Sequence, residues 1–327
     1  CLELIDKLYK HLDNNQSLFC IFIDLSKAFV TINHQILLSK LKYYGLDDHA
    51  VSWFKSYLSD RKQFVEVDGV KSPTQSINTG VPQGSTLGPL LFVIYMNDVN
   101  IVSEVFNCIL FADDTSLEST ISMFPAQTIS GISRKINNEL SKLIDWLRAN
   151  KLSLNAKKTK YMQFRYPQKS PSLMPKLTLK MNNIPIEKVT HFDFLGLRIS
   201  EKLSWKDHID KVKSKISKIA GSMYRIKNQV NSKILLAIYN SLILSHLHYG
   251  ILCWGFQGHH LFKLQKRAVR TICKKKYNDH TDPLFKELKL LKVMDIFKTQ
   301  CLKFFKRLDT GKLPNYFFIK FQIFKEL

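Results

Sequence analysis

Near its beginning the chain reads Leu18-Phe-Cys-Ile-Phe-Ile-Asp24, an uninterrupted apolar run that stops at an acid. A short run of this kind predicts a strand that is buried on both faces of a sheet. A second such run, residues 108–112, ends in the adjacent acids Asp113 and Asp114. If the two strands lie side by side, we expect Asp24 and Asp113 to meet at one edge of the sheet.

Carboxylates that crowd together at the ends of buried strands repel one another, and burial increases that cost. Divalent cations relieve the repulsion, because hard cations prefer oxygen ligands. A pair of such ions suits phosphoryl transfer, in which one ion activates an attacking hydroxyl and the other stabilises the leaving group. Aspartates are also common in hairpin turns, and the doubled Asp alone favours that simpler interpretation.

Outside these two runs, the pattern of apolar residues predicts an α+β arrangement. Helices are expected at 1–17, 33–58 with a break at Gly45, 90–96 and 131–148, where apolar residues recur at helical spacing. Short strands are expected at 161–164, 177–181 and 192–199, with a hairpin at Asp68-Gly69. Residues 205–327 are expected to be mostly helical, so an α+β domain precedes a helical appendage.

Composition excludes several classes of protein. The 327 residues are 45% hydrophobic and 23% charged, which is a globular composition. No apolar run approaches the roughly 18 residues that cross a bilayer. The six cysteines show no CxxC spacing, which predicts reduced, mostly buried thiols in an intracellular protein. We therefore exclude a disulfide scaffold, a zinc finger and a membrane protein, and we expect no zinc site at His246 and His248.

The positive charge is concentrated in the second part of the chain. The sequence has 49 Lys and Arg against 27 Asp and Glu, a net charge of +22. Residues 1–130 contain 9 basic and 14 acidic side chains (−5), whereas residues 131–327 contain 40 and 13 (+27). A region so basic repels itself unless a polyanion neutralises it, so we expect nucleic acid as the partner. A merely soluble lysine-rich surface is the alternative.

Five motifs occur in an order that is typical of one enzyme family. They are Phe22-Ile-Asp-Leu-Ser-Lys-Ala-Phe29 with Ile32-Asn-His34, Gly80-Val-Pro-Gln-Gly-Ser-Thr-Leu-Gly-Pro-Leu-Leu-Phe92 with Asn97-Asp98, Phe111-Ala-Asp-Asp-Thr115, Leu152-Ser-Leu-Asn-Ala-Lys-Lys-Thr159 and Phe194-Leu-Gly-Leu197. With these motifs the chain resembles the reverse transcriptase domain of non-LTR (LINE-type, jockey-like) retrotransposons along nearly its whole length. The string that starts at Gly80 is the most specific of the five.

The resemblance implies the α+β fold of a right-hand polymerase, in which an antiparallel sheet with packed helices forms the palm. We expect a palm with remnant fingers over 1–199, thumb-like helices over 200–240 and a basic helical extension over 241–327. In this family a fingers region lies upstream of the palm. Because Asp24 lies so close to Cys1, we expect the chain to be an N-terminally truncated fragment, and the family implies nuclear or cytoplasmic localisation.

The resemblance implies an RNA-directed DNA polymerase that extends a DNA primer at the target on an RNA template, with dNTPs as substrates. Asp24 and Asp113 would bind two Mg²⁺ ions, with Mn²⁺ as an alternative ion, and Asp114 would support the site. Lys158 would protonate the leaving pyrophosphate or neutralise its charge. Without the resemblance, Lys158 is one more solvated lysine in a basic run.

Other residues would contact the nucleotide and the primer. Phe29 would be the steric gate that crowds a ribose 2′-OH, although the residues alone are equally consistent with a core aromatic. Gln83 would contact the incoming nucleotide, with Gly80 and Gly84 letting the backbone approach. The residues that would position the primer end are Phe194, Leu195 and Gly196. A simple hairpin core is the alternative for these three.

The expected thumb carries an apolar stripe flanked by lysines, as suits a helix that lies along a duplex backbone. The residues expected to contact phosphates, there and in a second basic cluster, are Lys211, Lys215, Lys218, Lys266, Arg267 and Arg270. Aromatic side chains such as Tyr277 are able to stack on bases, but most of them are expected in the core.

Val30 departs from the family pattern. The first motif usually continues Lys-Ala-Phe-Asp, and here Val30 stands where the Asp belongs. The loss of this carboxylate leaves a second interpretation open, that of a catalytically decayed remnant that only binds RNA or RNA–DNA hybrid. A group II intron-type maturase is a third interpretation, which the jockey-like spacing disfavours.

Overall fold

The computed structural model describes residues 1–14, 16–124, 128–165, 175–314 and 316–317. Contacts between residues divide the chain into two compact units, one of His11–Thr190 and one of Cys1–Lys10 together with His191–Leu327. The division therefore falls after Thr190. The functional boundaries expected at 199 and 240 stay a prediction.

The unit His11–Thr190 combines one large sheet with several two-stranded ribbons. Its strands are β1 (Leu18–Ile23), β2 (Leu25–Ser26), β3 (Lys62–Gln63), β4 (Glu66–Val67), β5 (Val70–Lys71), β6 (Gln75–Ser76), β7 (Asn107–Phe111), β8 (Asp114–Thr120), β9 (Ser153–Leu154), β10 (Lys160–Phe164), β11 (Lys180–Met181), β12 (Ile184–Pro185) and β13 (Glu187–Lys188). Its helices are α2 (His34–Tyr43), α3 (Asp48–Leu58), α4 (Leu87–Met96) and α5 (Ile129–Ala149), and α1 (Leu2–Asp13) begins the chain.

Strand β1 lies at the centre of the large sheet, whose strand order is β13-β10-β1-β8-β7. All six of its residues are buried, and it pairs antiparallel with both β8 and β10. The apolar stripe of α5, including Ile136, Leu140 and Leu143, belongs to the same core as Phe19 of β1. An uninterrupted apolar run is what a central strand covered by other structure requires. The prediction of a buried strand here is confirmed.

The two acid-ended strands are not direct neighbours. Strand β8 lies between β1 and β7, because the chain turns back after residue 111 and β8 pairs with both. The condition considered above, that residues 18–23 and 108–112 lie side by side, is therefore not met. The returning arm of the hairpin, which begins at Asp114, is the one that pairs with β1.

A half-buried ion pair connects α2 to the segment that follows α4. The Lys40 ammonium donates to Asp98 Oδ1 and to the carbonyl oxygen of Tyr95, both at 2.6 Å. The same ammonium lies over the rings of Tyr95 and Trp146, at 4.8 and 5.0 Å from their centroids. Burial lowers the pKa of Lys40, and the Asp98 carboxylate counteracts that effect. The Asn97-Asp98 motif thus has a structural role in this fold.

The second unit is mostly helical, as the sequence predicts. Its described elements are β14 (His191–Phe194), β15 (Leu197–Ser200), α6 (Lys206–Ile226), α7 (Ser232–Ile238), α8 (Ser245–His248), α9 (Ile251–Trp254), α10 (His259–Ile272), α11 (Asp282–Glu287) and α12 (Val293–Asp309). A π-helical segment, Tyr239–Leu244, joins α7 to α8. The fully buried Gln265 amide donates to Tyr239 Oη at 2.8 Å and to Leu291 O at 2.9 Å, and its oxygen accepts from Val293 N. This network holds α10 against its neighbours.

Three sequence-based predictions need correction. Residues 192–199 form two strands around a turn at Leu195-Gly196. Of the strand expected at 177–181, only Lys180–Met181 pairs with another strand. All six cysteines are free, but four of them are half-buried and only Cys20 and Cys253 are fully buried.

In the part of the chain that the structure describes, no single helix is long and apolar enough to cross a membrane. One bent pair, Ser232–His248 with Ile251–Gln257 at 55°, meets those criteria by length and composition only.

Candidate active site

Asp24 follows directly on β1, and both of its main-chain groups are held by the segment 155–159. The Asn155 N–H donates to the Asp24 carbonyl at 2.9 Å, and the Asp24 N–H donates to Thr159 Oγ1 at 3.4 Å. The fully buried Thr159 hydroxyl in turn donates to the carbonyl of Asn155 at 3.0 Å. These bonds fix the position from which the half-buried Asp24 carboxylate extends.

Asp113 and Asp114 lie at the turn between β7 and β8. The turn consists of Ala112, which adopts a left-handed φ of 53°, and Asp113, because Phe111 pairs with Asp114. Ile23 pairs with Thr115, so the next residues along these antiparallel strands, Asp24 and Asp114, stand opposite each other. The pairing register therefore aligns Asp24 with Asp114 along the backbone, while Asp113 lies one residue further into the turn, and the meeting of Asp24 with Asp113 stays a prediction.

The three aspartates influence one another electrostatically. Partial desolvation raises the pKa of the Asp114 carboxyl, and the negative charges of Asp113 and Asp24 raise it further. Three oxygen donors in mutual repulsion fit a hard divalent cation by chemistry and charge. However, no group of three or more His, Cys, Asp or Glu side chains among the described residues is gathered around a point where a metal ion would bind.

Lys158 lies in the turn that precedes β10, beside the end of β1. Its N–H bonds to the carbonyl of Asn155 at 3.1 Å, and its side chain is exposed. Because Lys160 pairs with Phe22, this turn flanks the strand end at which Asp24 lies. The turn that carries Lys158 thus lies beside the strand end that carries Asp24, and the role of Lys158 in pyrophosphate release stays a prediction.

The loop that begins at Gly80 is bonded to the segment that follows Asp24. The Gly80 N–H donates to Ile32 O at 2.7 Å, and Val81 N–H donates to Phe29 O at 2.9 Å. Gly80 has a φ of +85°, and a Cβ built there would lie 2.7 Å from the carbonyl oxygen of Val30. The close approach of two backbones explains why a glycine is needed at this position.

Phe29 stacks on Phe92 of α4, with ring centroids 4.5 Å apart and an interplanar angle of 23°. Its ring is half-buried and packs against the main core of this unit. Gln83 and Gly84 are exposed in the loop before α4, and Gly84 has a φ of +80°. The Val81 N–H bonds to the main-chain carbonyl of Phe29, which ties the start of this loop to the backbone that carries the ring.

The predicted primer-positioning residues form the tip of the β14–β15 hairpin. Phe194 is buried and pairs with Leu197, while Leu195 and Gly196 occupy the turn with φ values of 48° and 76°. Two successive positive φ values are typical of a tight type I′ hairpin. The Tyr249 hydroxyl donates to the Leu195 carbonyl at 2.5 Å, and this bond braces the turn.

The structure separates the two predicted phosphate-contacting clusters within the helical unit. On α6, Lys211 is ion-paired with Asp193 at 3.0 Å, while Lys215 and Lys218 are exposed. Lys211 and Lys215 line a cavity of about 330 Å³ together with Gly196 of the primer-positioning turn. The second cluster, Lys266, Arg267 and Arg270, lines a different and larger groove on α10.

Sequence reasoning missed the residues that brace this site. Asn155 and Thr159 hold the main chain of Asp24, although both lie inside the motif Leu152-Ser-Leu-Asn-Ala-Lys-Lys-Thr159, in which only Lys158 drew attention. Tyr249, which braces the turn at Leu195, lies outside the five motifs. Its bond to Leu195 joins residues 54 positions apart, which no local signal in the sequence reveals.

Known proteins similar to this chain are retrotransposon polymerases. In Drosophila melanogaster, the probable RNA-directed DNA polymerase from transposon BS is 26% identical over 316 residues, covering 88% of this chain and 33% of the relative. The RNA-directed DNA polymerase from mobile element jockey is also 26% identical, covering 93% of this chain and 33% of the relative. The chain therefore spans about a third of the length of these relatives.

Among solved structures, apo telomerase from Candida tropicalis matches 91% of this chain and 50% of its own, with a TM-score of 0.48 and 13% identity. Telomerase from Candida albicans in complex with a fragment of telomeric RNA matches 88% of this chain and 50% of its own, with a TM-score of 0.41 and 12% identity. The model of the family described as reverse transcriptase (RNA-dependent DNA polymerase) matches residues 3–199, more than half of the sequence. The chain belongs to the reverse transcriptase family, and its curated relatives are non-LTR retrotransposon polymerases.

Proposed function

We propose that this chain is the polymerase portion of a non-LTR retrotransposon enzyme that extends a primer 3′-OH on an RNA template with dNTPs. The observation that carries the proposal is the pair Asp24 and Asp114, which stand opposite each other at the end of the buried central strand, with Asp113 beside them. The match to the reverse transcriptase family over residues 3–199 supports the same reaction.

The three aspartates would hold two Mg²⁺ ions, with Asp24 and Asp113 as ligands of both and Asp114 in support. When bound, the ions would supply activation of the primer hydroxyl and stabilisation of the leaving pyrophosphate. Asn155 and Thr159 keep Asp24 at the strand end through its main chain. The exposed Lys158 ammonium would neutralise the charge of the departing pyrophosphate.

The incoming nucleotide would lie against the loop 80–84 and the ring of Phe29. The stack of Phe29 on Phe92 fixes the ring plane, so the ring is able to exclude a 2′-OH without moving. Gln83 would contact the nucleotide from its exposed position, and the positive φ of Gly84 shapes the loop there. In the helical unit, Phe194, Leu195 and Gly196 would position the primer, with Lys215 and Lys218 on duplex phosphates.

Primer extension on poly(rA)/oligo(dT) with Mg²⁺ tests the proposal. The chain alone and a full-length protein containing it are compared, since the curated relatives are about three times as long. Asp113→Ala should abolish incorporation, whereas Glu104→Gln, a matched change at another exposed acid of the same unit, should leave it intact. Undiminished product from Asp113→Ala would refute the assignment, as would no product from the full-length protein.

Val30 favours a second candidate function, binding without incorporation. A valine here replaces the acid that the family pattern carries, and its side chain is 47% exposed beside the nucleotide-contacting loop. Under this proposal the protein binds RNA or RNA–DNA hybrid through its basic half, with affinity that falls steeply as salt rises. Binding should survive Asp24→Ala with no incorporation by either protein, and binding that ignored ionic strength would refute it.

A further inference from the structure

A basic groove in the helical unit has a volume of about 1180 Å³ and is lined by described residues. It lies between the end of α6, helix α10 and the turn 274–278. Pockets for small ligands typically measure roughly 300–1,000 Å³, so this groove suits an extended ligand. It belongs neither to the carboxylate cluster nor to the primer-positioning turn.

The groove carries an unusual density of positive charge. None of the described residues that line it is an Asp or Glu. Its eight basic lining residues are Lys227, Lys263, Lys266, Arg267, Arg270, Lys274, Lys275 and Lys276. Such a concentration of cations on one concave surface is the electrostatic footprint of a nucleic-acid backbone site.

Three aromatic rings lie among these cations. Tyr277 and Tyr224 are 71% and 53% exposed, and Phe262 also lines the groove. Each ring is paired with a cation: Lys227 over Tyr224 at 4.1 Å, Arg270 over Tyr277 at 5.7 Å and Lys266 over Phe262 at 5.0 Å. Large exposed aromatics in a basic groove are typical of platforms on which unpaired bases stack.

A duplex does not use such rings, because its bases already stack on one another and it presents only phosphates to a concave surface. We propose that this groove binds a single-stranded stretch of nucleic acid, with phosphates on the lysines of 274–276 and bases on Tyr277 and Tyr224. The site is separate from the proposed duplex contacts of Lys215 and Lys218, so one chain holds two nucleic-acid segments.

Fluorescence anisotropy with labelled 12-nucleotide RNA, DNA of the same sequence and an RNA–DNA hybrid tests the proposal. The two single strands should bind more tightly than the hybrid, and the difference between RNA and DNA tells which is the preferred strand. Tyr224→Leu with Tyr277→Leu should weaken single-strand binding at least about fivefold per ring and leave hybrid binding unchanged. Tyr277→Phe, which keeps a ring, should bind normally.

Charge is tested separately by the triple change Lys274→Gln, Lys275→Gln and Lys276→Gln. Loss of three phosphate contacts should lower the slope of log K against log salt by about 2 for a single strand. The matched control changes three exposed lysines of α12, Lys298, Lys303 and Lys306, to Gln. It should leave the slope of log K against log salt unchanged. Asp113→Ala should bind single strands normally, so this result stands apart from the polymerase test.

Two outcomes would overturn the proposal. One is equal loss of binding from the groove triple and the α12 triple, which would mean that net charge alone attracts the ligand. The other is that Tyr224→Leu and Tyr277→Leu fold normally by circular dichroism and still bind single strands as tightly as the unaltered chain.

Discussion

Replacing Gly80 by alanine should destabilise the protein far more than the same change at Gly84. Both residues adopt left-handed backbone conformations, with φ values of +85° and +80°. An alanine in that region costs about 1–2 kcal/mol at either position. The difference lies in the surroundings: a Cβ at Gly84 meets nothing within 4 Å, whereas at Gly80 it lies 2.7 Å from Val30 O and 2.8 Å from Val30 Cα.

The neighbours of Gly80 are main-chain atoms, which cannot rotate away as a side chain does. The carbonyl of Val30 also accepts from the Thr79 hydroxyl at 3.0 Å, so moving it weakens a second contact. Forced overpacking typically costs about 1–3 kcal/mol. We therefore expect Gly80→Ala to cost about 2–5 kcal/mol and Gly84→Ala only about 1–2 kcal/mol. The effect of each alanine on the unfolded chain is similar and cancels in the comparison.

Urea denaturation of the two variants and the unaltered chain measures the difference directly. At about 2–4 °C per kcal/mol, thermal melting should also separate them by several degrees. Equal losses of unfolding free energy, within about 0.5 kcal/mol, would show that backbone conformation alone decides both positions. That result would refute the reasoning that contact with Val30 makes Gly80 necessary.

Three further predictions concern His208, Val30 and Phe29. Burial, with the charge of Lys211, lowers the pKa of His208 to about 4. Because the unfolded chain binds the proton more readily, unfolding free energy should fall by up to about 3 kcal/mol as pH drops from about 6.5 towards 4. His208→Asn keeps an acceptor for the Arg198 N–H and should make the unfolding free energy, measured by urea titration at several pH values, depend less on pH. An unchanged dependence on pH in this variant would contradict the role assigned to His208. Val30→Asp should raise primer extension without changing the melting temperature by more than about 2 °C, since its side chain is exposed; unchanged incorporation would refute a catalytic need for this acid. Phe29→Val should raise the ratio of ribonucleotide to deoxyribonucleotide incorporation, measured on one template, and should destabilise the core because the stack on Phe92 is lost; a constant ratio would refute the gate.

The sequence predicts well what depends on local pattern. An unbroken apolar run occurs where both faces of a strand are covered, so residues 18–23 could be recognised as a central strand, and the structure confirms it. The stripe of α5 follows from helical periodicity in the same way. The motif order also identified the family before any geometry was known.

What the sequence could not predict depends on pairing between distant residues. The partner of Asp24 is Asp114 because β8 inserts between β1 and β7, and strand order is a property of the whole sheet. The sequence favours a continuous strand at 192–199 over the alternative of a hairpin, because leucine rarely adopts the positive φ that Leu195 has in this turn. The Lys40–Asp98 pair joins residues 58 positions apart, so no local spacing indicates it.

The environment of Val30 has a consequence for how such chains diverge. At this position the main chain makes the recorded contacts: the Val30 carbonyl accepts from Thr79 and its backbone lies against Gly80, while the residue is 47% exposed. Cellular quality control that removes misfolded protein would therefore not act against a change from an acid to valine at position 30. Copies of such a gene would keep their fold and their abundance regardless of this residue, and only a measurement of nucleotide incorporation would tell them apart.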